Sequence, residues 1–189
     1  MRLSTTSYFV DYLVYPAAVT TLTAAALVTT PFDKWGVWSL SVIAGAATWT
    51  FAEYQLHRWV FHHMPYIKDM HDAHHDDQKA LIGTPSWMSL TLIAVLVLLP
   101  AIFLAGFSYG AGFTAGVTMG YLFYIIIHHG VHHWRIRPGG YLYRLKHRHA
   151  LHHHFNDEGN FGVTSGFWDK VFGTDIDPRR MARRGGAAH

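Results

Sequence analysis

Cysteine is absent from this 189-residue chain, and formal charge is scarce, with Asp, Glu, Lys and Arg together making up 14% against roughly 25% in a soluble globular domain. The first absence excludes disulfides and thiolate metal sites, so any bound metal must sit on nitrogen or oxygen, and the compartment cannot be read from redox chemistry. The second points towards a membrane. Glutamate is reduced to Glu53 and Glu158, too few for the Glu and Glu-x-x-His ligation of soluble di-iron bundles. The N-terminus has no basic n-region followed by a small-residue cleavage site, so a removed signal peptide is not expected. Internal repeats and low-complexity linkers are missing too, and the length suits one domain.

What is present is apolar residue and histidine. Half of the chain is hydrophobic, and no Asp, Glu, Lys or Arg occurs between Lys79 and Arg135. That stretch exceeds twice the roughly 20 residues needed to span a bilayer. It predicts spans at 86–106 and 111–132, joined by a tight turn at "FSYGAG". Residues 12–32 and 35–52 are also free of formal charge, with "PFDKWG" as the turn between them. Four spans with both termini cytoplasmic leave Lys34 in the outer turns and put the other 14 of 15 Lys and Arg residues inside, as the positive-inside bias requires. The same topology collects every histidine on the cytoplasmic side. Residues 176–189, containing "DPRRMARRGGAAH", read as a basic, disordered tail after a single domain over 1–175.

Sixteen histidines occur, and histidine is the commonest metal ligand. They cluster as "HRWVFHH" (57–63), "HDAHH" (71–75), "HHGVHH" (128–133) and "HRHALHHH" (147–154). Positions i, i+3 and i+4 share a helix face, so His71, His74 and His75 can converge, as can His149, His152 and His153; His128 aligns with His132. His57 and His62, five apart, lie about 140° apart on a regular helix and need a bend, a helix end or two metals. Unpaired imidazoles gathered at a poorly hydrated membrane face would cost a few kcal/mol each, and a shared metal pair removes that cost. Ten ligands suit two ions at about five nitrogens each, whereas a structural zinc closes with four. Imidazole suits iron, zinc, copper and nickel alike.

In this order, and around paired spans, the four boxes resemble the integral-membrane fatty acid hydroxylase and sterol desaturase superfamily. "YLYRLKHRHALHH" and "NFGVTSGFWDKVFGT" (160–174) resemble its fatty acid hydroxylase branch, over about residues 50–175. The resemblance implies an all-α fold, four transmembrane helices with a cytoplasmic helical cap holding a histidine-ligated dimetal site. It makes His57 and His62 the first box, His71, His74 and His75 the second, His128 and His132 the third, and His149, His152 and His153 the fourth. Tyr124 fits the same pattern. His129 and His133 have the spacing of the third pair, so its register stays open. Outside that spacing His63, His129, His133, His147 and His154 are expected at the surface, with support of the ligands and contact with a substrate head group as competing roles, and His189 in the tail.

The resemblance further implies two iron ions, or zinc in a recombinant form, and hydroxylation of an unactivated C–H bond of a fatty acyl or sterol-like lipid with O2. Metal must carry that chemistry while the protein supplies position and a dry cavity. Asp72, Asp76, Asp77, Asn156, Asp157 and Asp169 are candidates for orienting the rings. "GTPSW" (83–87), Trp59, Phe61, Trp134, Phe161 and Trp168 could line a lipid entrance, or serve as interfacial anchors. "RPGG" (137–140) is similar to a haem-binding turn but carries Arg137 where the axial histidine would stand. Electrons must therefore come from a separate ferredoxin- or cytochrome b5-like donor; no nucleic-acid partner is expected. The alternatives are a carotenoid ring hydroxylase, a lipid desaturase, a membrane metal-binding or transport protein, and a haem cytochrome.

Overall fold

The structure, a computed structural model, describes residues 2–155 and 157–178, which are helical with no β-strand among them. Asn156 and residues 179–189, the greater part of the expected tail, lie outside the described residues. Helix α1 (Thr5–Phe9) runs through Val10 into α2 (Asp11–Thr29), and a 3-10 turn at Phe32–Lys34 reverses the chain into α3 (Trp35–Gln55). A π-wound turn, Leu56–Phe61, extends α3, and α4 (Ile67–Asp76) follows. Helix α5 (Ser86–Ile93), a second π turn (Ala94–Leu98) and α6 (Leu99–His133) make one long apolar run, followed by α7 (Tyr141–His154) and α8 (Phe167–Phe172).

Two helical stretches, Thr5–Thr29 and Ser86–His133, are long and apolar enough to cross a membrane. The second is folded on itself. Gly106 sits at φ 77°, ψ 168°, a conformation open to glycine alone, and Gly110 packs so closely on Ala101 and Ile102 that a Cβ would come within 2.6 Å of backbone. The reversal is thus made by one residue, and the expected turn at 107–112 is helical instead. The π turn before Pro100 also has a cause, because proline has no N–H to donate to the carbonyl of Leu96.

Helices α3 and α6 form the centre of the packing. Gly112, Gly116 and Gly120 line one stripe of α6; a Cβ on Gly116 would stand 2.0 Å from the Val42 carbonyl oxygen, and one on Gly45 would stand 2.0 Å from that of Phe113. Small residues at spacing four let two apolar helices touch along their backbones, which substitutes for a hydrophobic driving force where none exists. Large side chains point outwards instead: Leu13, Val28, Leu40, Ile43 and Phe103 are all exposed. Close contact between α3 and α6 also fixes the two helix ends that bear the first and third histidine boxes.

Candidate metal centre

The end of α3, α4, the end of α6 and α7 bring ten histidines together in two groups of five: His57, His62, His71, His75 and His152, and His74, His128, His132, His149 and His153. Within each group one ring nitrogen per residue lies within 4.8 Å of all the others. These are the ten residues that the sequence singles out. Of the two registers at the third box, His128 and His132 converge, while His129 and His133 stack on each other away from the groups, with His129 Nδ1 3.2 Å from the Tyr8 hydroxyl.

The spacing of five between His57 and His62 is resolved by neither a bend nor two metals. The π-wound turn Leu56–Phe61 carries wider turns than an α-helix, so residues five apart return to one side, and the two rings stack 5.2 Å apart within one group. The triplets 71/74/75 and 149/152/153 do not each close on one centre. His71 and His75, four apart, turn to the first group and His74 to the second; on α7, His149 and His153 turn to the second and His152 to the first. Each of these helices therefore lies between the two centres and serves both.

The distances suit cations. His71 Nε2 lies 3.1 Å from the Nε2 atoms of His57 and His62 and 3.0 Å from that of His75. In the other group, His74, His128 and His132 form a triangle of Nε2 atoms with sides 3.1, 3.1 and 3.2 Å, and His149 stands 2.8 Å from His132 and 3.0 Å from His153. Two metal–imidazole bonds of about 2.1 Å meeting at a right angle hold their nitrogens about 3.0 Å apart. Hydrogen bonding does not explain such a triangle: one proton can bridge two of the three nitrogens and leaves the third facing a like group.

Tautomers support the same arrangement. His57 Nδ1–H donates to the Phe161 carbonyl at 2.6 Å, and His152 Nδ1–H to the Gly159 carbonyl at 2.7 Å. Each bond leaves Nε2 with its lone pair, and His152 Nε2 is buried with no hydrogen-bond partner among the described residues. Burial, and next to it neighbouring imidazoles, lowers the pKa of the rings on α4 and α7: His74 falls from 6.5 to about 4 and His152 to about 3, with His71 and His153 lower still. All four are neutral at physiological pH, as ligands must be.

The carbonyls are presented by the segment around 159–163, next to which the sequence marks Asp169 as a candidate for orienting the rings. That carboxylate, fully buried, accepts from the backbone N–H groups of Phe161 and Gly162, from the Thr174 hydroxyl and from Arg148. Glu53 of α3 accepts from the N–H groups of Val163 and Thr164 and from the Thr164 hydroxyl. Asn160, at φ 56°, donates to the Arg148 carbonyl and accepts from Ile176 N–H, so Ile176, assigned above to the tail, is packed into the fold. Asp169 thus acts on the rings through backbone. Among the described residues Asp72, Asp76, Asp77 and Asp157 make no hydrogen bond to a ring; Asp72 pairs with Lys68 and Asp77 with Arg2.

Both groups meet one end of a cavity of about 640 Å³, where His71, His74 and His128 form part of its wall. Elsewhere it is mostly aliphatic and aromatic, including Phe61, Leu96, Leu104, Phe113, Val117 and Tyr124. Tyr124 stacks on His128 with ring centres 5.4 Å apart. From His128 to Phe113 the α6 wall runs roughly 22 Å at 1.5 Å per residue. Gly83 and Thr84 line the cavity as the sequence suggests, and Phe61 with them, but Trp59, Trp87 and Trp134 are exposed. Phe161 is buried against His57, His62 and His152, and Trp168 packs on Phe51.

Comparison with known proteins agrees with this geometry. Residues 42–174 match the family model described as fatty acid hydroxylase. The chain is 36% identical over 151 residues to the ceramide very long chain fatty acid hydroxylase scs7 of Schizosaccharomyces pombe, covering 70% of this chain and 41% of that protein. It is 31% identical over 146 residues to the fatty acid 2-hydroxylase of Mus musculus, covering 71% and 39%. Identity to the dihydroceramide fatty acyl 2-hydroxylase FAH2 of Arabidopsis thaliana is 32% over 156 residues, covering 71% and 60%. The chain thus spans about two fifths of the length of the fission yeast and mouse proteins. A solved structure, described as full-length scs7p with only the hydroxylase domain visible, superposes with a TM-score of 0.78 at 28% identity, covering 91% of this chain and 67% of that one. With the match running from the middle of α3 through all four histidine boxes to Thr174, the chain belongs to the fatty acid hydroxylase family.

Proposed function

We propose that the chain is a membrane-embedded, O2-dependent dimetal oxygenase that hydroxylates the acyl chain of a lipid, with iron as the native metal. His57, His62, His71, His75 and His152 would hold one ion, and His74, His128, His132, His149 and His153 the other. The observation that carries this reading is the meeting of two five-histidine groups with one end of a long apolar cavity. Bound metal would supply the oxidant that a strong aliphatic C–H bond demands. The overall change is R–H plus O2, two electrons and two protons to R–OH and water.

The chain's own residues do the rest. The aliphatic walls exclude water and confine an extended chain, and Tyr124 and Phe61 line it beside His128 and His71. The names of the mouse and plant relatives carry 2-hydroxylation; we adopt it, with the second carbon of the acyl chain nearest the rings. In our reading α2, α3 and the two arms on either side of Gly106 cross the bilayer, with α4, α7 and α8 as a cytoplasmic cap. Electrons arrive from a separate ferredoxin- or cytochrome b5-like protein, which the exposed cations Arg135, Arg137 and Arg144 would attract by charge. The test is lipid mass spectrometry under labelled O2 with metal analysis of the purified chain. Labelled hydroxyl in an acyl chain with wild type, none with His149→Ala, and about two irons per chain support the reading. A metal-free wild type or an unlabelled product rejects it.

A further inference from the structure

Helices α1 and α2 precede the residues matched by the family model, 42–174, yet they build part of the cavity wall with Tyr8, Asp11 and Tyr12. Asp11 is 7% exposed, and the Ser86 hydroxyl donates to its Oδ1. Among the described residues that hydroxyl is its one hydrogen-bond partner. It does not cap a helix, because α1 passes into α2 through Val10 in helical conformation. A carboxylate offers about four acceptor sites, and one left unused in an apolar cavity is costly.

The hydroxyls nearby are already engaged: Tyr12 donates to the Ile125 carbonyl at 3.4 Å, Tyr15 pairs with Ser89 at 2.5 Å, and Tyr8 meets His129. Asp11 is three residues beyond Tyr8, roughly 4.5 Å along the helix, and Tyr8 meets His129, the neighbour of His128 on α6. A polar group held there keeps the first carbons of an attached chain beside His71, His74 and His128, which line the same cavity.

We propose that Asp11 is the acceptor for the polar end of the lipid, selecting a head group that carries a hydrogen-bond donor, a hydroxyl or an amide N–H, over an ionised free fatty acid. This rests on the lipid-oxidising reading above. A second carboxylate beside Asp11 would be repelled strongly in a poorly hydrated cavity.

The test is equilibrium binding to the metal-loaded full chain, at mildly alkaline pH, of two probes with one acyl chain: an N-acylethanolamine and the free fatty acid. Wild type should bind the amide at least about tenfold more tightly, the discrimination expected of a charged hydrogen bond. Asp11→Asn should collapse that ratio by admitting the acid, while Ser86→Ala, which keeps the charge, should preserve it; metal content and thermal unfolding report the fold. Equal affinities in wild type, an unchanged ratio in Asp11→Asn, or a ratio lost in Ser86→Ala overturns the role of Asp11 and leaves lipid oxidation standing. Wild type that binds neither probe overturns both.

Discussion

The two histidine groups are assembled by exchange. The end of α3 gives two rings to the first group and the end of α6 gives two to the second, while α4 and α7 divide their triplets two to one in opposite senses. The anchoring is unequal. Two rings of the first group donate Nδ1–H to main-chain carbonyls, whereas in the second group Nδ1 of His74, His149 and His153 is buried without a hydrogen-bond partner among the described residues. The first group is thus oriented by the folded segment around Asp169, the second by helix packing. Equal ligand number with unequal outer support predicts two ions of unequal affinity serving one reaction.

The largest effect expected is loss of turnover from damage to either group. His57→Ala with His152→Ala, and His128→Ala with His132→Ala, should each lower hydroxylation by at least about a thousandfold, roughly 4 kcal/mol of barrier, and bring metal content from about two ions to about one. Turnover that survives one double substitution intact would show that the groups do not act together. The second effect is order of release. Titration with a chelator should remove metal in two phases, the second group first, separated by about tenfold to a hundredfold in affinity. The His57/His152 variant should retain the weaker phase and the His128/His132 variant the stronger. A single phase in wild type would erase the distinction.

Smaller, but aimed at the cause, is Asp169→Asn. An amide accepts on one oxygen alone, so the bonds that now run from Asp169 to Phe161, Gly162, Thr174 and Arg148 cannot all persist. The Phe161 carbonyl then holds His57 less firmly. Affinity of the first group should fall by about tenfold while that of the second stays constant; equal loss from both would mean that Asp169 supports the fold rather than one group.

That these ten rings meet was legible because helical spacing and box order are written in side chains, and both survive folding. What stayed hidden was written in backbone. A π turn has no residue signature, so the spacing of His57 and His62 alone leaves a bend, a helix end and two metals open. The carbonyls of Gly159 and Phe161 belong to every residue type alike, so acidic neighbours drew attention instead; of these Asp169 matters, one step removed from the rings. Gly106 was hidden among other small residues near the expected turn, and only its positive φ distinguishes it. Asp11, Tyr8 and Tyr12 carried no motif, because their part in the cavity depends on α2 lying against α6.

Proton competition should produce the smallest difference, in metal-free protein. Rings whose pKa lies below 6.5 in the folded state are neutral in both states above that pH, so their contribution to stability is fully present there. As pH falls below 6.5 the unfolded chain takes up protons first, and stability declines until the folded pKa is passed. For His74 in the second group that decline ends near 4, and for His152 in the first it continues to about 3. Thermal unfolding followed from neutral pH downwards should therefore show a falling midpoint below 6.5. His74→Ala should flatten only the part above about 4, and His152→Ala should flatten the curve to lower pH. A midpoint indifferent to pH across that window would mean that the rings are hydrated in the metal-free protein, and that neither group is held ready before its ion arrives.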